Sequence, residues 1–471
     1  MPVTRVASFA VAAILAVTML RVAVLAWGEV ELYVDEAQYW LWGQELAFGY
    51  FSKPPLVGWV IRASVEIGDS TAFWVRVPSP IAYGITAGLV WAAAARVWPP
   101  GPAAWSGVAF ATLPGTGILS LFISTDALLM PCVALALLAL LALRHGPSDR
   151  WAVVLGLAFG LGLLAKYAMV YAIVLSGIAV VALPGFRMTV REAAIAAGIA
   201  GLLILPNLGW NVANGFITFA HTADNAGSEA TIQWRWDNAG EFLVTQLIAF
   251  GPVFALAWFW VLVRAVPDLA RGVRPALLLG SFPLILAIAV IAVIDEANGN
   301  WAAPAFVYGA VLVVPWLALR ARVWLAIGLI TNVALAGLIA VLPLMPERAN
   351  LGGRNLFERA AGMEDFSDAV LSAAEDEGAA VMASGRAILA GLVWSGRARD
   401  VAIYARAPRG LPSNHYELTR PVPEGLAPLV VVAREAPPAC PDAQLLFAWD
   451  PGTGAFRKGG TAVFLAPSGC G

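Results

Sequence analysis

A polytopic α-helical membrane protein with a small soluble α/β module at its C-terminal end is the fold class that this sequence predicts. Three observations predict it. Hydrophobic residues fill 60% of the 471 positions and charged residues 13%, against about 45–50% and about 25% in soluble domains. Apolar runs approaching the roughly 20 residues that cross a bilayer recur from Val6 onward. Beyond Pro346 charges become frequent, and no apolar run comes near that length.

Taken in order, about eleven spans are expected, over residues 6–27, 72–95, 103–122, 126–143, 151–166, 168–184, 192–208, 241–263, 275–294, 301–319 and 323–345. Arg5 precedes the first span and no small-residue cleavage site stands before Trp27, so it reads as an uncleaved anchor. Lys and Arg gather on the cytoplasmic side of short connections. With the N-terminus inside, that side holds Arg5, Arg96, Arg144, Arg150, Arg187, Arg191, Arg264, Arg271, Arg274, Arg320 and Arg322. The outer side receives Lys53, Arg62, Arg76, Lys166 and Arg235. An odd number of spans then carries everything after residue 345 outside as well.

The first outer loop is rich in rings: Tyr33, Tyr39, Trp40, Trp42, Phe48, Tyr50, Phe51 and Trp59. Rings of this kind form an interfacial belt at headgroup level. Their spacing predicts two short juxtamembrane helices, over 35–47 and 55–67, broken by Gly49 and Pro54-Pro55. Such helices frame a lateral entrance for a lipid-linked substrate. In the tail, 346–471, the pattern predicts helices over 364–377 and 386–394 and strands over 379–383, 401–404, 429–432, 444–449 and 462–465. Cys132 lies in an apolar span and reads as a small core residue. Cys440 and Cys470 share the tail, where an oxidising compartment permits a disulfide.

Several chemistries are missing. There is no GxxxxGK[ST] loop, no strand-linked GxGxxG and no D-x-D pair for a metal-bound nucleotide. Gly160-Leu161-Gly162 sits inside an apolar span with no strand before it, so it reads as a helix-packing feature. His145, His221 and His415 fall on separate segments and form no metal-binding pattern. A net charge of −2 gives no sign of nucleic-acid binding.

Lysine is the telling residue. Of 29 basic side chains only Lys53, Lys166 and Lys458 are lysines, and the first two fall at the outer face. A compact ammonium suits a phosphate oxygen, although an interfacial lysine also snorkels without function. Asp35, Glu36 and Asp126 lie on the same face. Ionisable groups at a membrane are costly and mark function by default. The alternative for Asp126 is a helix N-cap.

Asp35-Glu36, Tyr50-Phe51-Ser52-Lys53-Pro54-Pro55-Leu56, Arg76-Val77-Pro78-Ser79 and Thr125-Asp126 together resemble the successive motifs of glycosyltransferase family 39, which includes protein O-mannosyltransferases and the aminoarabinose transferase of lipid A. The resemblance covers most of residues 1–345 and implies a transmembrane catalytic domain of the GT-C fold. It also implies a polyprenyl-phosphate sugar donor and transfer, typically with inversion, to an envelope acceptor: lipopolysaccharide, another glycan or a protein. No metal or further cofactor is expected. The setting implied is the bacterial inner membrane, with the active site and the 346–471 domain periplasmic.

By the same resemblance Asp35 corresponds to the catalytic carboxylate and Lys53 holds the lipid phosphate. Tyr50 and Asp126 match positions near that site, Lys166 resembles a lysine at the end of a later span in relatives, and Glu36 is a further substrate-binding candidate, with Lys166 or Arg21 also a candidate for the phosphate. Aminoarabinose-transferring relatives carry an acidic residue before K-P-P and an Arg three positions after the catalytic Asp. This chain has Ser52 and Gln38 there, so that activity, and a metal held by that acidic residue, are not expected.

Asn207–Asn211 and Phe219–Asn225 are read as one long outer loop, and Asn298-Gly299-Asn300-Trp301 as the opening of a later span. These amide-rich stretches suit sugar recognition, with His221 foremost and Trp210 or Trp301 as stacking faces; they read equally as caps and turns. Asn414-His415-Tyr416-Glu417 in the tail is a candidate for acceptor recognition. A polyprenyl-linked sugar flippase remains the alternative, since it too has many spans and intramembrane charges. Against it, the charges crowd one face instead of the midplane.

Overall fold

Helices occupy all eleven expected span positions, but their lengths and breaks differ from the expectation. The computed structural model describes residues 3–183, 185–224, 234–265, 272–351, 353–408, 410–440, 442–450, 454–455, 460–468 and 470. Asn225, Arg271 and Lys458 lie outside the described residues. In chain order the helices are α1 (Val3–Trp27), α2 (Val34–Gln44), α3 (Leu56–Ile67), α4 (Ala72–Arg76), α5 (Pro78–Ala94), α6 (Pro100–Thr112), α7 (Pro114–Leu119), α8 (Thr125–Leu143), α9 (Asp149–Ala165), α10 (Met169–Ala182) and α11 (Val190–Ala213). There follow α12 (Ile217–Asp224), α13 (Trp236–Ala249), α14 (Pro252–Ala265), α15 (Arg274–Leu279), α16 (Phe282–Ile294), α17 (Pro304–Arg320) and α18 (Arg322–Val341).

Among the described residues six stretches are long and apolar enough to cross a bilayer unaided: Arg5–Trp27, Ala72–Ala94, Thr125–Leu143, Val190–Ala213, Arg274–Ile294 and Arg322–Leu344. The expected span over 241–263 is instead two helices, α13 and α14, meeting at 106°. Gly251 makes that elbow: its φ is +85°, and a Cβ there would stand 2.0 Å from Asn332 Oδ1 on α18. Pro252 then starts the next helix without an N–H to offer. The expected span over 103–122 is likewise split at Leu113-Pro114 into α6 and α7.

Two more expectations change. Asn207–Asn211 is not loop but the last turns of α11, which continues through Pro206 to Ala213. Residues 217–224 form the short α12. The Gly160 reading as a packing feature holds, since a Cβ there would meet Leu203 of α11 at 2.6 Å.

The two juxtamembrane helices form close to where the ring spacing puts them, as α2 and α3. Residues Glu36–Gly43 of α2 are buried without interruption, which a helix lying on open membrane would not be. Its cover comes from the tail. There a short ribbon, β1 (Asn350–Leu351) with β2 (Arg354–Asn355), precedes α19 (Met363–Asp376), β3 (Ala380–Ala383), α20 (Arg386–Ser395), β4 (Ile403–Ala405), α21 (His415–Thr419), β5 (Leu429–Ala433), β6 (Gln444–Trp449) and β7 (Thr461–Ala466).

The main sheet has the order β4-β3-β5-β7-β6, with β3 parallel to β4 and β5, and β7 antiparallel to β5 and β6. The α19 helix buries Met363, Phe366, Val370, Leu371 and Ala374, a single stripe at helical spacing. In α20, by contrast, Leu389–Trp394 are all buried, because that helix packs against α19 and β4 on one side and α2 on the other. Cys440 and Cys470 are joined by a disulfide.

Candidate active site

Two antiparallel helices present opposite charges at one end of the bundle. Asp126 is the second residue of α8 and Lys166 directly follows the last residue of α9, so the carboxylate sits at a helix N-terminus and the ammonium at a C-terminus, where the helix dipoles favour each. Lys166 Nζ donates to Asp126 Oδ1 and Oδ2 at 2.8 and 2.9 Å. Asn300 Nδ2, from the turn before α17, donates to Asp126 Oδ2 at 2.6 Å. Asp126 makes no side-chain cap; Ser124 occupies the cap position. The N-cap alternative therefore fails, and Asp126 instead joins α8, α9 and the start of α17.

Lys53 lies in the turn between α2 and α3, half-buried, with its carbonyl accepting from Tyr50 N at 3.2 Å. Burial first, and then the charge of Lys166, hold the Lys53 pKa below its ordinary value, with Asp35 and Asp126 acting in the opposite direction. Its ammonium has no carboxylate within 4.0 Å among the described residues, whereas Lys166 has Asp126. Two cations thus share one electrostatic neighbourhood and only one is neutralised.

Asp35 and Glu36, adjacent in sequence, have different surroundings. Glu36 is buried at 1% exposure. Its oxygens accept from Arg76 Nε and Nη2 at 2.9 and 2.7 Å, from Ile123 N at 3.0 Å and from Tyr33 N at 3.1 Å. Arg76 also donates to the carbonyls of Val30 and Glu31 at 2.7 and 2.8 Å. The expectation that Glu36 contacts substrate gives way to a structural one, since all its acceptor capacity is committed to the scaffold. Asp35 side-chain exposure is 60%, and its partner is Arg386.

Tyr50 is likewise framework. Its ring stacks on Trp42 with centroids 4.6 Å apart, and its hydroxyl donates to Trp42 O at 2.6 Å. His221 of α12 stands beside Phe51, ring centroids 5.2 Å apart, and α12 is tied to the same turn by Thr218 Oγ1 donating to Tyr50 O at 2.7 Å. Asn207 and Asn211 are fully buried. Asn207 donates to Phe48 O at 2.7 Å and accepts from Tyr167 Oη at 2.8 Å, so its amide braces α11 against the first loop, while Asn211 donates to Tyr167 Oη at 3.3 Å. Trp210 packs on Gly49. Arg21 is enclosed in α1, donating to Ala111 O at 2.6 Å and Thr116 Oγ1 at 3.3 Å, with no contact to the lysines. Among the described residues no three of His, Cys, Asp and Glu gather in a metal-binding group.

The profile of the dolichyl-phosphate-mannose-protein mannosyltransferase family matches residues 52–210, a stretch that holds Lys53, Asp126 and Lys166. The lipid A galacturonosyltransferase RgtD of Rhizobium johnstonii is 32% identical over 463 residues, 97% of this chain and 98% of its own. The chain belongs to the dolichyl-phosphate-mannose-protein mannosyltransferase family of GT-C glycosyltransferases. Solved structures agree on the fold. ArnT from Cupriavidus metallidurans bound to undecaprenyl phosphate matches with a TM-score of 0.65 at 16% identity, over 98% of each chain. Its apo state matches at 0.61 and 16%, over 97% of each. The Archaeoglobus fulgidus oligosaccharyltransferase in its apo form matches at 0.51 and 13%, over 85% of this chain and 64% of that one.

In this glycosyltransferase the tail reaches the first loop at several charged points. Arg386, the first residue of α20, donates Nε to Gln38 Oε1 at 2.5 Å and Nη2 to Asp35 Oδ1. Burial opposes the Arg386 charge, but the charge and hydrogen bond of Asp35, together with Tyr39 and Tyr416, outweigh it, and its pKa lies above the ordinary value. Arg420 donates to Glu45 Oε1 at 2.6 Å. The amides of Gly362 and Glu364 each donate to Glu31 at 2.8 Å. Sequence reasoning passed over Asn300 as a partner of Asp126 and Arg386 as a partner of Asp35. For Asn300 a signal was present, an amide in a short polar turn between apolar runs; for Arg386, 351 positions from Asp35, there was none.

Proposed function

We propose that this glycosyltransferase moves a sugar from a polyprenyl-phosphate donor to an envelope acceptor on the extracytoplasmic face of the bacterial inner membrane, its 346–471 tail lying on that side. Lys53 carries the reading. It is a half-buried ammonium with no carboxylate within 4.0 Å among the described residues, and it feels the charge of a second lysine that has one. A phosphate between them supplies the missing negative charge, and Lys53 stabilises the charge that grows as the phosphate leaves. The ArnT structure containing undecaprenyl phosphate supports a lipid phosphate as that anion. The name of the Rhizobium relative supports lipid A as the acceptor class.

The chemistry follows. The acceptor hydroxyl oxygen attacks the anomeric carbon, the bond from that carbon to the phosphate oxygen breaks, and polyprenyl phosphate departs along Lys53. Asp35 receives the hydroxyl proton. Attack opposite the leaving phosphate inverts the anomeric centre. Asp126 and Lys166 shape the phosphate side and His221 the sugar side, whereas Glu36 and Tyr50 hold the loop in place.

The test is transfer of labelled sugar from purified polyprenyl-phosphate donors to lipid A in proteoliposomes, comparing wild type with Asp35→Asn and Lys53→Ala. Both variants are expected to lose transfer while remaining folded. Unchanged transfer in both discards the assigned site. Movement of the lipid-linked sugar across the bilayer without its transfer establishes a flippase instead.

A further inference from the structure

The carboxylate assigned as base is held by a side chain from the other end of the molecule. Arg386 spans one turn of α2, with Nη2 on Asp35 and Nε on Gln38 three residues later, positions that share a helix face. Gln38 is buried at 1% exposure, so this anchor for the guanidinium is built into the core. The placement of Arg386 is itself fixed by packing. Trp394 of α20 meets Trp40 of α2 edge to face at 5.2 Å, and Arg397 Nε donates to Ser70 O at 2.9 Å. Asp35 Oδ1 is occupied, while Oδ2 has no hydrogen bond among the described residues.

An ion pair this exposed adds only about 0–1 kcal/mol to stability. Its geometry is what matters, because a planar fork fixed at one nitrogen restricts the rotation of the carboxylate held by another. Building on the proposed role of Asp35, we infer that Arg386 is a positioning residue for transfer. It fixes Asp35 so that Oδ2 meets the incoming hydroxyl, and it makes catalysis depend on the docked tail. The tail is thus part of the active site, since Arg386 is the one ion-pair partner of Asp35 among the described residues.

The experiment compares wild type, Arg386→Met, Arg386→Lys and the double variant Arg386→Met with Gln38→Arg in the same proteoliposome assay, reading kcat and donor KM separately. Hydrogen exchange of α20 amides reports whether the tail stays docked. Arg386→Met is expected to lower kcat on the order of 10–100-fold, with donor KM and α20 protection unchanged. Arg386→Lys recovers part of this. The double variant, which returns a guanidinium to the same face of α2, recovers most of it. A kcat for Arg386→Met within about twofold of wild type, with Asp35→Asn inactive, overturns this inference alone. Activity retained in both variants overturns the assignment of Asp35 as well. Loss that the double variant does not rescue, accompanied by faster exchange in α20, gives Arg386 a purely structural part and also overturns the proposal.

Discussion

At the scale of the residue, one peptide bond separates a carboxylate committed to the scaffold from the one proposed as base. Glu36 and Arg76 are buried together, side-chain exposures 2% and 6%, and removing either leaves an unpaired charge in a dry place. Such a loss costs about 3–5 kcal/mol. Arg76→Ala is therefore expected to lower the thermal midpoint of the purified protein sharply, whereas Asp35→Asn, which releases an exposed pair, leaves it within a degree or two of wild type. Equal midpoints for Arg76→Ala and wild type would remove the scaffold role. Lys53 yields a second expectation. Anion binding needs its charged form, and burial beside Lys166 places its pKa below 10.5, so donor affinity holds at low pH and falls as pH rises through that lowered value. Lys53→Arg keeps its charge at every accessible pH. A titration of donor KM against pH should lose its alkaline rise in that variant, and an identical rise in both would mean that another group titrates. Asp35, Lys53, Asp126 and Lys166 stand out in the sequence because charges are rare in so apolar a chain, and the structure pairs two of them, Asp126 with Lys166. Glu36 and Tyr50 were read as substrate contacts, and their partners here, Arg76 and Trp42, become visible only in three dimensions.

At the scale of the element, apolar run length located the helices and missed their breaks. In the tail α19, α20 and the five strands of the main sheet fall close to their expected positions, since α19 has a single apolar stripe and the strands are short and rich in branched side chains, whereas the β1–β2 ribbon and α21 were not foreseen. The α13–α14 elbow was missed although Gly251-Pro252 is a turn signal, because a window long enough to find a span averages over two residues. That elbow is a specific arrangement. Gly251 combines a φ of +85° with a close approach to Asn332, a buried side chain on α18. Gly251→Ala is expected to destabilise by about 1–3 kcal/mol from backbone strain, with steric overlap added. Pairing it with Asn332→Ala should return the steric part and leave the strain. Thermal unfolding of the two single variants and the double variant separates the contributions, and strictly additive losses would show that Gly251 and Asn332 are not in contact.

At the scale of the whole molecule, the tail and the loop after α1 are one assembly, joined at three carboxylates. Glu31 takes backbone amides near the start of α19, Asp35 takes Arg386 and Glu45 takes Arg420. None of this was readable from sequence, since each pair joins segments more than 320 positions apart and no local pattern encodes which surface a soluble module will cover. Beside the last of these contacts lies His415 of α21, its ring edge-on to Trp42 and Tyr50 at 5.7 and 6.0 Å. Burial, and then Arg420, push its pKa down to about 4. Glu45 is 3.9 Å from its Nε2 but is already engaged by Arg420, so the imidazole stays neutral. The direction of the pH effect follows. Above about 6.5 the ring is neutral whether the tail is docked or released, and His415 contributes no pH dependence. Between 6.5 and 4 the released state takes up a proton that the docked state refuses, so docking weakens as pH falls, by at most roughly 3 kcal/mol. Hydrogen exchange at α2 and α21 amides is expected to quicken progressively below pH 6.5 in wild type. In His415→Phe, which keeps a ring against Trp42 and has no proton to gain, exchange should show no such onset once the intrinsic pH dependence of amide exchange is corrected for. The same acid onset in both proteins would remove His415 as the source of the sensitivity.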